Sequence, residues 1–372
     1  AHRLLHHAGE LGRLGLTPST QSPGGIEFAA GLPELIRANL ALRTASRIVV
    51  RVASFHASAF HELERHARKV DWGRFLAPGV PVHFRVTTKK SKLYHERAIV
   101  QRLASAIAAR IPGITITAAR ADAELDEQES GDLPRLQRFI VRVYQDECTI
   151  SVDSSGPLLH RRGYRLETAR APLRETLAAG LLLAAGYDGS GPLVDPMCGS
   201  GTIPIEAALI ARGIAPGIGR RFAFENWPEA GAEAVASIRA KLRSAERANC
   251  PAPIVGSDRD AGAMAASAAN GTRAGVAGDI EWRTGSVSSL ALPDGPGLIA
   301  VNPPYGVRVG DRLPLRNLYA QFGNVLRERA PGWRVAMVSA DRMLEGHTGL
   351  GWGSLASTER SSKVVVSPTV WA

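Results

Sequence analysis

The chain of 372 residues holds only three cysteines, Cys148, Cys198 and Cys250, and no two of them form a C-x-x-C pair. That scarcity excludes a disulfide framework and a thiolate zinc site. It fits a reducing compartment, so a cytoplasmic location is expected. No apolar run approaches the roughly 20 residues that cross a bilayer. Neither a signal peptide nor an initiator Met is visible, and trimming of a few N-terminal residues is expected. No glycine loop carries the G-K-[ST] of a P-loop. No metal site is expected either, because His56, His61 and His66 are spaced by five and do not share a helix face.

What is present is enough chain for two domains, with an ordinary hydrophobic content of 45%. The net charge of +10 is unevenly placed: residues 1–171 hold 25 Lys and Arg against 17 Asp and Glu, residues 172–372 hold 20 against 18. A basic half joined to a nearly neutral half suggests that one part grips a polyanion while the other does chemistry. Charge serving only solubility is the plain alternative.

Residues 26–158 mix strands and helices, as in a compact α+β unit. Helices are expected at Leu32–Leu42, Ala57–Lys69 and His95–Arg110. Strands are expected from residue 26 ahead of the first helix and at Arg47–Val52, Pro81–Val86, Ile114–Ala118, Arg138–Tyr144 and Cys148–Val152, with an exposed acidic loop from Asp122 to Asp132. From about residue 172 strand and helix alternate strictly, which implies a parallel sheet covered on both faces. The boundary is expected near 160–172.

Three motifs carry chemistry. In Asp195-Pro196-Met197-Cys198-Gly199-Ser200-Gly201-Thr202 a strand ends, a glycine loop turns and a helix begins, so that backbone can approach a ligand closely. A dinucleotide fingerprint needs a third glycine or alanine where Pro204 stands, which leaves S-adenosylmethionine as the candidate ligand, or a tight turn with none. Cys198 reads as a small packed thiol rather than a nucleophile. In Gly256-Ser257-Asp258-Arg259-Asp260, Asp258 is placed to accept hydrogen bonds from ribose hydroxyls, and Asp260 suits a helix N-cap. The third motif is Asn302-Pro303-Pro304-Tyr305-Gly306, about a hundred residues after the first. The Asn302 oxygen and the Pro303 carbonyl can accept both N–H groups of a planar exocyclic amine. Two prolines hold those acceptors rigid, and Tyr305 can stack on a base. Weaker signals are the basic run Arg85–Arg97, with Lys89, Lys90, Lys92 and Arg97 as phosphate contacts, and Arg161, Arg162 and Arg165 near the boundary; solvated surface explains both equally well.

These residues, with Leu159–Arg165, Ala171–Ala178 and Phe222–Pro228, resemble the THUMP-containing class I RNA methyltransferases that make N2-methylguanosine, especially the bacterial group acting on large-subunit ribosomal RNA. The resemblance implies a Rossmann-like α/β domain with a seven-stranded sheet ending in a hairpin near Ser354–Arg360 and Lys363–Ser367. That domain would follow an α+β ferredoxin-like and THUMP region. The implied division is 1–45 ferredoxin-like, 46–158 THUMP, 159–188 linker and cofactor-covering helix, and 189–372 methyltransferase. It further implies S-adenosylmethionine as cofactor, held by residues 195–202, Asp258, Arg259, Ser286 and Asn302, and structured RNA as partner. The family usually has an acidic residue after the third strand to contact adenine; Gly285 and Ser286 stand there, and Ser286 is the substitute candidate. Sister enzymes that methylate tRNA share these motifs. Adenine N6 or glutamine methylation and a non-catalytic RNA-binding role are rival readings, and the activity could be one half of a fused pair.

Overall fold

The computed structural model describes residues 9–22, 25–117, 136–166, 173–305, 312–357 and 363–367, so the acidic loop and Gly306 lie outside the described residues. After a helical segment at 9–13, an antiparallel hairpin, β1 (Pro18–Ser22) and β2 (Gly25–Phe28), leads into α1 (Leu32–Ala41). Pro33 is tolerated in α1 because the first helical N–H groups have no intrahelical acceptor. There follow β3 (Val49–His56), α2 (Phe60–Ala67), β4 (Val82–Lys89), α3 (Glu96–Ala108), β5 (Gln137–Tyr144) and β6 (Glu147–Asp153). These strands form one sheet in the order β3-β6-β5-β4, with only β4 and β5 parallel. Strand alternation sends Val82, Phe84 and Val86 of β4, and Phe139, Val141 and Val143 of β5, into one core with Leu63, Ile99 and Leu103 of the helices. The strand expected at 114–118 reduces to a single bridge of Ile116 with Val82.

The second half runs α4 (Glu175–Ala184), β7 (Leu193–Asp195), α5 (Thr202–Ala211), α6 (Ala232–Ser244), β8 (Ile254–Asp258), α7 (Ala261–Arg273), β9 (Ile280–Thr284), β10 (Leu298–Val301), α8 (Arg312–Arg329), β11 (Arg334–Ser339), α9 (Arg342–His347), β12 (Gly353–Ser357) and β13 (Lys363–Ser367). Its seven strands lie in the order β12-β13-β11-β10-β7-β8-β9, and β13 is antiparallel to both of its neighbours, so the expected final hairpin is present. From β7 the chain steps to β8 and β9 on one side, then returns to β10 and β11 on the other. The reversal opens a crevice beyond the carboxyl ends of β7 and β10, where ligands bind in open α/β sheets.

Strict alternation breaks between α5 and β8. Here the chain inserts a loop and α6, and Phe222, Phe224, Trp227 and Val235 join the core of the first half rather than that of their own sheet. The Trp227 indole N–H donates to Gln137 Oε1 at 2.7 Å, and its ring meets Phe75 edge-on at 5.1 Å. Arg220 donates to the carbonyls of Pro157, Leu158 and Arg161, clamping the connecting strap.

Candidate methyl-transfer site

The site is built from four adjacent strand ends. Asp195 ends β7, opposite Gly256 of β8, and is 1% exposed. Its Oδ1 accepts the Met197 N–H at 3.1 Å and shapes the turn that follows. Burial, with Asp258 close by, pushes its carboxyl well above the usual range. Asp195 therefore braces the loop from beneath. Pro196, Cys198, Ser200 and Thr202 are buried too, and Met197 and Gly199 are half-buried. The Cys198 thiol lies 3.8 Å from the Met264 sulfur, and burial raises its pKa well above normal, as suits a packed thiol.

Two glycines give the loop its path. Gly199 and Gly201 have φ of +54° and +82°, in the left-handed region that side chains rarely adopt. A Cβ on Gly201 would meet the Trp282 ring at 2.8 Å and the Ser267 Cβ at 3.0 Å, whereas one on Gly199 would meet nothing within 4 Å. The loop is thus packed tightly on its inner side and open at Gly199. It leads into α5, which has no capping side chain.

Asp258 ends β8. Its Oδ2 accepts the Gly199 N–H at 3.0 Å and its Oδ1 the Asp260 N–H at 3.0 Å, so the carboxylate ties its own strand end to the glycine loop. Each oxygen retains a further lone pair. Asp260 caps α7 by accepting from Gly262 and Ala263, while Arg259 is exposed. Beyond β9, the Gly285 N–H donates to the Asp258 carbonyl at 2.9 Å, which brings exposed Ser286 to the same edge. Asn302 directly follows β10. Its side-chain Oδ1 is buried and has no hydrogen-bond partner among the described residues. Pro303 beneath it is buried, Pro304 is exposed, and Tyr305 is 40% exposed.

The structure thus gathers the 195–202 turn, Asp258, Ser286 and Asn302–Tyr305 at one sheet edge. It also shows supports that sequence reasoning missed. Ser267 Oγ donates to the Gly199 carbonyl at 2.7 Å, and Asn270 Nδ2 to the Ser200 carbonyl at 3.1 Å. Their signal was two small polar residues one turn apart on the buried side of an alanine-rich helix. Lys89, Lys90, Lys92 and Arg97 are exposed and lie in the first half. Arg162 and Arg165 are corrected from surface to interior. Arg162 donates to the Arg43 and Leu159 carbonyls and lies 3.5 Å from Glu206, and Arg165 pairs with Glu175 at 3.0 Å. Glu206 on α5 also accepts from Tyr164 at 3.1 Å, so the strap is tied to the helix that follows the glycine loop. Arg161 is half-buried.

Comparison with known proteins places this geometry in a family. Residues 162–360 match the UPF0020 family model, an RMKL-like methyltransferase domain, and residues 7–49 match the RlmL ferredoxin-like domain. A putative RNA methyltransferase of Synechocystis, slr0064, is 32% identical over 348 residues, which is 92% of this chain and 87% of that protein. Ribosomal RNA large subunit methyltransferase K/L of Syntrophotalea carbinolica is 34% identical over 92% of this chain but only 48% of its own length. This chain thus spans about half of the K/L relatives it matches. Among solved structures, a predicted N6-adenine-specific DNA methylase from Listeria monocytogenes superposes with a TM-score of 0.82 at 31% identity, covering 96% of this chain and 91% of that one. SMU.472, a putative methyltransferase complexed with SAH, gives 0.83 at 27% identity, covering 100% of this chain and 96% of that one. With a model match over more than half its length and relatives aligned nearly end to end, the chain belongs to the RMKL-like methyltransferase family.

Proposed function

We propose that this chain transfers a methyl group from S-adenosylmethionine to the exocyclic N2 of a guanosine in structured RNA, with large-subunit ribosomal RNA as the substrate. The observation that carries the reading is the buried Asn302 oxygen, without a partner among the described residues, at the carboxyl end of β10 beside the glycine loop of β7. An unsatisfied buried acceptor costs about 1–3 kcal/mol, and an incoming N–H donor removes that cost.

The residues present fit the cofactor. The open side of Gly199, the uncapped start of α5 and the free lone pairs of Asp258 suit a carboxylate-bearing nucleoside with ribose hydroxyls. When bound, the cofactor supplies an electrophilic methyl group on a sulfonium sulfur. Asn302 Oδ1 and the Pro303 carbonyl would accept the two amine hydrogens and aim the nitrogen lone pair, and Tyr305 would stack on the base. The amine becomes acidic only as its new bond forms, so no strong base is required, and orientation carries most of the rate. A guanosine inside a helix must leave its stack to reach these groups.

The names of the K/L relatives and of slr0064 support RNA as substrate class, and the basic first half supports it independently. We also assign residues 46–158 to a THUMP domain, on the strength of the sequence resemblance. A planar adenine amine would satisfy the same acceptors, and the name of the Listeria relative keeps that reading as the rival. The test is transfer of labelled methyl into undermodified large-subunit rRNA, tRNA and DNA, followed by nucleoside analysis. N2-methylguanosine in rRNA is expected. Label only in tRNA, or as N6-methyladenosine, would overturn the assignment.

A further inference from the structure

The Gly199 and Ser200 carbonyls of the glycine loop both point at α7, where the fully buried Ser267 and Asn270 donate to them. A serine hydroxyl rotates to suit its acceptor, whereas a primary amide has two unlike ends. Asn270 supports the Ser200 carbonyl only with Nδ2 forward; turned over, it would set a second acceptor against that carbonyl. The direction of the amide is fixed by Arg273, one turn along α7, which donates from Nη2 to Asn270 Oδ1. Residues three apart on a helix are neighbours, so the pair forms within α7 itself. A guanidinium has donors and no acceptor, so it can meet only the oxygen end of the amide. The consequence reaches the turn. A peptide group is planar, so the bond to the Ser200 carbonyl also aims the Gly201 N–H, which closes the turn on the Cys198 carbonyl at 2.9 Å.

Arg273 is held in turn by the strap, since its Nε donates to the Tyr164 carbonyl at 2.8 Å. Gly163 just before it has a φ of +94°, and Tyr164 is buried with its hydroxyl donating to Glu206 Oε1. Burial, and then the Glu206 carboxylate, push the Tyr164 phenol well above its usual pKa, so it remains a donor. Glu206 is wholly buried on α5, one turn beyond Thr202, where the loop enters that helix. Tyr164 therefore joins both helices that meet the glycine loop: α5 through its hydroxyl, and α7 through its carbonyl and Arg273. A basic residue at the last position of α7 also suits the helix dipole. Any cation in the last turn would serve that purpose, and none would need the fork to Asn270 and Tyr164.

We propose that Arg273 is a positioning residue for S-adenosylmethionine: it orients the Asn270 amide, and that amide fixes the Ser200 carbonyl and the loop that holds the cofactor. The proposal rests on the cofactor reading above and deepens it, by tracing the shape of the loop to a residue outside the pocket. Removing Arg273 leaves every loop residue in place and frees the amide to turn. The loop then loses a donor at Ser200, and cofactor affinity falls although no group facing the cofactor has changed.

The test is calorimetric titration of the intact chain with S-adenosylmethionine and S-adenosylhomocysteine, with the unfolding temperature measured alongside. Arg273→Met and Asn270→Ala should each weaken binding about tenfold. The double variant should be no weaker than Asn270→Ala alone, because Arg273 acts through that amide. Arg273→Lys keeps the charge at the helix end and a donor for Oδ1, and should recover most of the loss. Asn270→Asp, of the same shape, still accepts from Arg273 but sets an acceptor against the Ser200 carbonyl, and should bind at least about tenfold more weakly. Should Arg273→Met fail to fold, Asn270→Asp decides, since it keeps both the volume and the bond from Arg273. Wild-type affinity in folded Arg273→Met or Asn270→Asp, or losses that add in the double variant, would overturn the proposal and leave Arg273 a helix-dipole contact. A wild-type chain that binds neither ligand would overturn the cofactor reading itself, and the positioning role with it.

Discussion

At the scale of single residues, the site depends on atoms whose partners are missing or crowded. Asn302 keeps a buried oxygen that has no partner among the described residues, and truncation to alanine removes the acceptor without touching the loop at 195–202. The Asn302→Ala variant should therefore bind S-adenosylmethionine as wild type does and lose transfer by about 10²–10³-fold, the range seen when one oriented polar group is removed from a reaction centre. Calorimetry with the cofactor and single-turnover methylation separate the two effects; parallel losses in both would remove the assigned role. Gly201 is the opposite case, a position with no spare room. A methyl group there must take a φ of +82° and displace the Trp282 ring 2.8 Å away. Gly201→Ala should lower stability by about 1–3 kcal/mol and weaken the cofactor, because the strain falls on the loop that would hold it. Thermal unfolding with and without S-adenosylmethionine checks both, and an unchanged melting temperature would show that Trp282 yields easily.

At the scale of elements, α4 joins the strap to the sheet through a carboxylate under tension. Glu175 is buried at the start of α4, and burial pushes its pKa up from 4.5 to about 7 even though Arg165 lies 3.0 Å away. The folded chain thus holds the proton more tightly than the unfolded one. Stability from this group is full below pH 4.5 and is lost as pH rises through about 7. Glu175→Gln should flatten the stability profile over that window, and denaturant titrations at several pH values would detect it; an unaltered slope would mean that Arg165 keeps the carboxylate charged. The sequence marked α4, with Pro172 suited to the first turn of a helix running to about Ala185, and marked β7 to β11 as short apolar stretches between helices. It also showed the three motif-bearing strand ends, because glycine loops and the paired prolines mark their own backbone geometry. β2 was legible as the strand that opens residues 26–52, whereas its hairpin partner β1 and helices α6 and α9 were not. Each is short or weakly amphipathic and is held by distant contacts, as Val235 of α6 is held by the first core. The inward turn of Arg162 and Arg165 was hidden because their carboxylate partners come from other elements, Glu206 lying 44 residues beyond Arg162 and Glu175 10 residues beyond Arg165.

At the scale of the whole molecule, the two halves are interlocked rather than strung together. The segment around 222–235 leaves the parallel sheet and completes the core of the first half with Phe222, Phe224, Trp227 and Val235, while Arg43 from the first half donates to the Leu209 and Ile214 carbonyls at 3.1 and 2.7 Å. A joint of this kind holds the basic first half at a fixed distance from the carboxyl edge of the parallel sheet, which, on the proposed function, suits a substrate too large to be positioned by the pocket alone. It also predicts how the chain unfolds. With a shared core, wild type should melt in one cooperative transition. Trp227 is 4% exposed, bonded to Gln137 and packed on Phe75, so Trp227→Ala should cost about 3–5 kcal/mol. Because the loss falls on the joint, the variant should also melt in two steps, the first half separating before the parallel sheet. Calorimetry measures both outcomes as the ratio of calorimetric to van 't Hoff enthalpy. A lower melting temperature with that ratio still at unity would mean that Trp227 stabilises the first half alone and that the coupling runs instead through Arg43, Arg220 and the strap.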